Sequence, residues 1–341
     1  MQKCKVVVTD YIELDLDWEV ETLAAYPEIQ FDFHQLKLAP KAELIEKVKD
    51  ADIIVVNMAR FDEEVIAACQ RCRLLIRHGI GYDNVDVAAC TRHGIRFAYQ
   101  PDYCATEVAE QAVALIFGCA RKLFSSRRIL EESSATQQWD FSTLGDIHRL
   151  MGSRLGIIGC GRIGGRVYRI MKAVGMNIMV CDPYIDDRQK GALGLDRTYD
   201  LDTVLKEADV VTMHTPLNDE TRYMIDEAQL RMMKPTAYLI NTSRGGVIRT
   251  EALEKALREK WIAGAGIDVY EVEPPPRDMD LFNHESATLS AHLGWCSVEA
   301  GWDIRKKIVG DILACLEGRA PANTVNGEID EVLGGKVYRE A

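Results

Sequence analysis

No run of apolar residues in this chain of 341 approaches the ~18 needed to cross a bilayer as a helix. Positive charge is also scarce: 41 Lys and Arg stand against 53 Asp and Glu, a formal charge of −12. Nucleic acid and anionic membrane surfaces both call for a basic footprint, so neither is expected as a partner. An anionic small ligand would therefore need a locally placed arginine. Repeats and low-complexity tracts are missing. So is the spacing of a disulfide framework, although there are ten cysteines. Several of them (Cys69, Cys119, Cys181, Cys315) fall inside apolar runs and read as small buried hydrophobes in a reducing compartment. Cys69 and Cys72 form a C-x-x-C, but no second pair or nearby histidine completes a zinc site, and no metal is expected. The N-terminus enters an apolar run without a signal-peptide pattern, so a cytoplasmic location is expected.

What is present is ordinary globular material in an alternating order. Hydrophobic content of 47% and charged content of 28% fit a soluble fold. The length favours two domains over one core. Short β-branched or apolar runs at 5–10, 53–57, 74–77 and 95–98 alternate with helical patterns such as 41–49. That alternation implies a parallel sheet covered by helices. Residues 99–102 form a break. A long helix is expected from Thr106 to about Phe124, apolar nearly all round at 113–119 and so covered on several sides, a partner subunit being one candidate cover. Residues 125–150 read as an irregular excursion anchored by Trp139 and Phe141. Strands then recur at 155–158, 177–181, 209–213, 237–241, 263–267 and 287–290. A last helix near 298–317 lies outside that count and is expected to pack back on the first domain.

The segment from Arg154 carries the most chemistry. An apolar strand runs into Gly159-x-Gly161-x-x-Gly164, then a helix, a second strand and Asp182. Gly159 would permit a tight turn, Gly161 a close approach of backbone to a pyrophosphate, and Gly164 close helix–strand packing. The helix N-terminus offers unpaired N–H groups to phosphate. Asp182 is placed to accept from ribose hydroxyls and to repel a 2′-phosphate, which favours NAD over NADP. Pro183 and Tyr184 add no cation, although Arg188 lies close by. A dinucleotide site is therefore expected to open in mid-chain.

Three later motifs sit just beyond expected strands, where ligands gather in such folds. Arg244, in Asn-Thr-Ser-Arg-Gly-Gly, could grip a carboxylate through two parallel hydrogen bonds; a surface salt bridge is the plainer reading. Asp268 ends another strand, and Glu273 precedes a proline run. His292 follows the last strand; alone it would more often be structural. Histidine titrates near neutrality and a neighbouring carboxylate can orient its ring, so the combination supplies an acid/base. Arginine, carboxylate–histidine pair and dinucleotide site together suit reversible hydride transfer on a 2-keto or 2-hydroxy acid.

The chain resembles the D-isomer-specific 2-hydroxyacid dehydrogenase family. The matching segments are GIGYDNVD (79–86), GCGRIG (159–164), HTPLNDETRYMID (214–226), INTSRGG (240–246), GIDVYEVEPP (266–275) and AHLGW (291–295). The resemblance implies two doubly wound parallel-sheet α/β domains. A Rossmann NAD-binding domain (103–294) would be inserted into a flavodoxin-like substrate domain (1–102 and 295–341), with substrate held between them. It implies that Arg244 binds the substrate carboxylate and carbonyl, that Glu273 pairs with the acid/base His292, and that Asp268 holds the nicotinamide carboxamide. Gly159, Gly161, Arg162, Ile163, Gly164, Asp182, His214, Thr215, Pro216 and Thr242 would line the cofactor. Gly79 and Ile80 would meet the substrate carboxylate through their N–H groups. Arg77 and Trp295 lean toward the branch of the C-terminal-binding proteins and phosphoglycerate dehydrogenases, in which both would line the keto-acid pocket. Trp295 could equally pack at a domain interface, and Arg77 could pair within its own domain. The family also implies a homodimer through the cofactor domain, matched here to the helix near 106–124. The alternative is an NAD(H)-sensing interaction protein of the C-terminal-binding-protein type, with catalysis secondary. The short tail after the last helix weighs against it.

Overall fold

In the computed structural model, which describes residues 3–339, the chain forms two compact units. One contains the residues up to Tyr103 and those from Ser297 onward; the other is Cys104–Cys296. Trp295, placed by the sequence at the start of the returning segment, falls in the second unit.

The first unit is built on five parallel strands: β1 (Cys4–Val8), β2 (Ile29–Phe33), β3 (Ile53–Val56), β4 (Leu74–Arg77) and β5 (Arg96–Ala98). Their order is β2-β1-β3-β4-β5, the flavodoxin-like pattern. Strand alternation sends side chains to two separate cores. Val7, Ile54, Val56 and Leu75 face one, while Val6, Val8, Ile53, Val55 and Leu74 face the other. The helix Val298–Leu316 supplies Ile304, Ile308, Val309 and Ile312 to the second of these cores. β2 escaped the sequence reading because Ile-Gln-Phe-Asp-Phe is a mixed edge strand with only Ile29 fully buried.

The second unit has six parallel strands: β6 (Arg154–Ile158), β7 (Asn177–Cys181), β8 (Val210–Met213), β9 (Tyr238–Asn241), β10 (Gly264–Ile267) and β11 (Ala287–Leu289). The order is β11-β10-β9-β8-β6-β7. The chain moves to opposite sides of β6 to form β7 and β8, which creates a crevice beyond the carboxyl end of β6. Cores lie on both faces of this sheet, as a doubly wound Rossmann domain requires.

Three expectations need correction. The helix that begins at Ala105 ends at Ala120 rather than near Phe124, because Lys122 takes a left-handed conformation (φ 53°). A second helix, Leu123–Thr136, then occupies much of the supposed irregular excursion. Its serine-rich sequence hides it, but Arg127–Glu131 and Arg128–Glu132 pairs four residues apart support it. Trp139 and Phe141 are not anchors: both are exposed and stack on each other. The over-apolar helix Ala105–Ala120 finds its cover inside its own unit, against the helix Arg162–Val174 and strands β9 to β11. Among the described residues no helix is long and apolar enough to cross a membrane.

Asn326 ties the C-terminal segment to β5. Fully buried, it accepts from Phe97 N at 2.8 Å and donates to Ile95 O at 3.0 Å and Thr91 Oγ1 at 3.1 Å. Asn326→Ala leaves a buried N–H and a buried carbonyl unmet, at roughly 1–3 kcal/mol each. Urea unfolding should therefore show a loss on the order of 2–4 kcal/mol; a change below about 0.5 kcal/mol would contradict the role.

Candidate functional site

The glycine loop follows β6. Gly159 has φ 84°, the left-handed region that favours glycine, and a Cβ there would come within 2.7 Å of the His214 carbonyl oxygen. A Cβ on Gly164 would overlap the Gly159 carbonyl, so this glycine sets the close packing of helix on loop. Gly161 differs: nothing lies within 4 Å of the side a Cβ would occupy. That open face stands at the N-terminus of the helix Arg162–Val174, which no side chain caps. Arg162 and Ile163 begin this helix.

Asp182, directly after β7, has a second role that the sequence did not disclose. Its Oδ2 accepts from Cys160 N at 2.7 Å and its Oδ1 from Tyr184 N at 2.9 Å. The carboxylate therefore fixes the glycine loop while each oxygen keeps a lone pair for a ribose hydroxyl.

On the other side of β6, His214, Thr215 and Pro216 follow β8, and Thr242 follows β9. His214 Nε2 lies 3.0 Å from Thr212 Oγ1, while its Nδ1 and the Thr242 hydroxyl are buried with no partner among the described residues. Buried polar atoms are rarely left so. Two orphaned atoms, an open glycine face and an uncapped helix end fit a bound dinucleotide.

Beyond β9 and β10 lie the acid/base candidates. Asp268 is fully buried and accepts from Ser290 Oγ at 2.6 Å, Leu293 N at 2.9 Å, Gly294 N at 2.8 Å and Gln111 Nε2 at 3.3 Å. These bonds close the turn after β11 on both sides of His292, which is held at φ 54°, a conformation that costs a non-glycine residue about 1–3 kcal/mol. In that turn His292 Nδ1 donates to Glu273 Oε2 at 2.7 Å. The other Glu273 oxygen accepts from Tyr270 N at 3.0 Å, and Tyr270 Oη donates to Ser290 O at 2.8 Å. Burial alone would raise the Glu273 carboxyl, but the bond from His292, its charge, the Tyr270 amide and Arg244 together hold it below the usual carboxylate range.

Arg244 is half-buried in the loop after β9, whose carbonyl accepts from Asn241 Nδ2 at 2.9 Å. Next to it, Gly245 packs so tightly on Tyr270 that a Cβ would overlap the Tyr270 carbonyl. The Arg244 loop and the Glu273 loop are thus fitted to each other. Trp295 is half-buried three residues after His292. Gln111, Asn241, Tyr270 and Ser290 escaped the sequence reading. Asn241 and Ser290 carried a signal, as polar residues closing or just following apolar strands, whereas Gln111 carried none.

In the first unit, Arg77 is buried and turned into its own loop. Its Nε donates to Gly81 O at 2.7 Å and its Nη1 to Asn57 Oδ1 at 3.1 Å and to His78 O. Its guanidinium packs against Gly79, where a Cβ would stand 2.9 Å from Nη1. Gly79 is buried and Ile80 half-buried at the end of β4.

Residues 113–294 match the model of the D-isomer specific 2-hydroxyacid dehydrogenase NAD binding domain. The chain belongs to the D-isomer specific 2-hydroxyacid dehydrogenase family. It is 38% identical to a glyoxylate reductase of Korarchaeum cryptofilum over 86% of this chain and 88% of that one. A D-3-phosphoglycerate dehydrogenase of Methanocaldococcus jannaschii is 36% identical over 84% of this chain and 54% of its own. Among solved structures, a D-lactate dehydrogenase of Aquifex aeolicus complexed with NAD and lactic acid superposes with a TM-score of 0.83 at 26% identity, covering 94% of this chain and 99% of that one. This D-2-hydroxyacid dehydrogenase is therefore an NAD-dependent oxidoreductase of 2-hydroxy acids. The sensing-and-interaction alternative is not favoured.

His214 yields a pH prediction. Burial pushes its pKa down from 6.5 to about 3. The folded value lies below the unfolded one, so the unfolded chain takes up the proton first as pH falls. The resulting stability is complete above about pH 6.5 and is lost progressively from there toward pH 3. Urea midpoints measured from pH 7 to pH 4 should fall, and His214→Asn should remove up to ~1.4 kcal/mol per pH unit of that slope. Identical slopes in both proteins would contradict it.

Proposed function

We propose that the enzyme reduces small 2-keto acids to 2-hydroxy acids, glyoxylate to glycolate among them and larger keto acids to the D-isomer, with His292 as the proton donor. The 2.7 Å bond from His292 Nδ1 to Glu273 carries this reading. It fixes the tautomer and plane of the ring and leaves Nε2 as the nitrogen that exchanges a proton with the substrate oxygen. NAD supplies the hydride chemistry when bound. Arg244 receives the carboxylate and carbonyl through its fork of donors. Asp268, whose Oδ2 accepts one bond while Oδ1 accepts three, takes the carboxamide on Oδ2, and His214 Nδ1 and the Thr242 hydroxyl satisfy themselves on the cofactor. Gly79 and Ile80 offer backbone N–H groups to the substrate carboxylate. The glyoxylate reductases among the relatives support the choice of substrate. Asp182 favours NAD over NADP, its carboxylate opposing a 2′-phosphate. Ten free thiols, most of them buried, support a cytoplasmic setting.

His292→Gln keeps size and polarity but holds no transferable proton. In steady-state assays with glyoxylate, hydroxypyruvate and pyruvate plus NADH, kcat should fall about 10²–10⁴-fold while the NADH dissociation constant stays within twofold. Unchanged turnover would refute the assignment. A wild type that oxidises NADH with no keto acid, yet binds it tightly, would refute the function.

The second unit is proposed to form a homodimer. Leu123, Phe124, Leu130, Trp139, Phe141 and Met151 are all exposed within one short stretch of chain, a density that isolated surface apolar residues do not reach. Phe124→Glu combined with Leu123→Glu should shift the sedimentation coefficient from dimer to monomer. A wild type that sediments as a monomer at tens of micromolar would end this proposal.

A further inference from the structure

Three buried side-chain atoms without a hydrogen-bond partner belong to residues that directly follow a strand: Asn57 Nδ2 after β3, His214 Nδ1 after β8 and Thr242 Oγ1 after β9. Two belong to the dinucleotide site. Asn57 is in the first unit and has no assignment.

The orientation of the Asn57 amide is forced. The residue is 4% exposed, and its Oδ1 accepts from Arg77 Nη1 at 3.1 Å. A guanidinium has no lone pair to offer, so the oxygen must face it and Nδ2 must point elsewhere. The backbone is clamped as well. Asn84 Nδ2 donates to Asn57 O at 3.0 Å, and Asp10 Oδ1 lies 3.4 Å from Asn57 N. Asp10 also accepts from Met58 N at 2.6 Å, Ala59 N at 3.2 Å and Thr9 Oγ1 at 2.8 Å. The side chain therefore has little freedom to seek another partner. An unmet buried donor costs on the order of 1–3 kcal/mol, and native proteins seldom keep one without use.

Position and charge identify the missing acceptor. Asn57 stands at the carboxyl end of β3, beside β4, on the sheet edge where open parallel sheets bind ligands. The Arg77 guanidinium lies against both Asn57 and Gly79, and the carboxylates Asp10 and Glu13 that reach these loops are already engaged, Asp10 by backbone N–H groups and Glu13 by His78 Nε2 at 3.0 Å. An anionic oxygen brought by a ligand suits a place beside the guanidinium.

We propose that Asn57 Nδ2 is a substrate-binding donor to the carboxylate of the 2-keto acid, acting with the Gly79 and Ile80 N–H groups while Arg77 orients it from behind. This role rests on the function proposed above. Arg77 then serves as a positioning residue, braced by its own loop.

Asn57→Asp is the informative variant, because it keeps an acceptor for Arg77 while replacing the donor with a charged oxygen that opposes a carboxylate. Asn57→Ser is the neutral companion, too short to reach the same oxygen. With glyoxylate and NADH, KM should rise at least tenfold in Asn57→Asp and severalfold in Asn57→Ser, with kcat within threefold of wild type. Oxamate should bind the enzyme–NADH complex correspondingly more weakly, while NADH affinity stays unchanged in both variants and the thermal midpoint of Asn57→Asp does not fall. A KM within twofold of wild type in both variants overturns the role, as does a KM rise accompanied by parallel losses of NADH affinity and thermal midpoint. A wild type inactive on every keto acid overturns the proposed function and this role together. An active wild type with unaffected variants overturns this role alone.

Discussion

The buried carboxylate of Asp268 is the constraint around which the rest of the site is arranged. It directly follows β10, next to the edge strand β11, and collects backbone N–H groups from Leu293 and Gly294, together with the Ser290 hydroxyl. A charge so deep in the fold is tolerable only with several donors on it. Those donors come from the turn that carries His292, so satisfying Asp268 also fixes the turn. His292 is thereby held in a left-handed conformation with its ring against Glu273. Tyr270 joins the same structure twice, through its amide to Glu273 and its hydroxyl to Ser290 O. The proposed acid/base is the outcome of a folding problem solved two residues away from it.

The cofactor side follows a similar logic with glycine in place of charge. Gly159 and Gly164 are required because neighbouring carbonyls occupy the places their side chains would take, whereas Gly161 is required for the space it leaves. Asp182 then ties the loop down through Cys160 N. Glycine loop, Asp182, His214 and Thr242 all stand at the carboxyl ends of neighbouring strands of one sheet, as do Arg244, Asp268 and His292. Strand order thus brings together residues that lie up to 133 positions apart in the chain (159 to 292). The proposed acid/base and the proposed cofactor loop share one sheet as support, which suits a reaction whose geometry must be held closely.

Much of this was legible in the sequence because it depends on short, local patterns. Apolar β-branched runs such as Ile53–Val56 announce strands buried on both faces, and the motif at 159–164 announces its own turn. What was hidden depends on long-range partners or on weak periodicity. The helix Leu123–Thr136 has a serine-rich sequence and little apolar contrast between its faces, so it read as irregular. Gln111 reaches Asp268 across 157 residues, which no spacing rule anticipates. Arg77 could be read as a ligand for substrate or as pairing within its own domain, and its Nε and Nη1 reach Gly81, Asn57 and His78 of its own unit. Asn57 drew no notice, because a single asparagine after an apolar run looks like the end of a strand. Only the position of Arg77 shows which end of its amide is left unmet.

The Glu273–His292 unit is best tested by a double-mutant cycle on kcat/KM for glyoxylate, using Glu273→Gln, His292→Gln and the pair. If the carboxylate acts through the imidazole, its loss adds little once the imidazole is gone, and the double variant should be about as slow as His292→Gln alone. If the two losses simply multiply, the residues act independently and the acid/base pair described here does not exist.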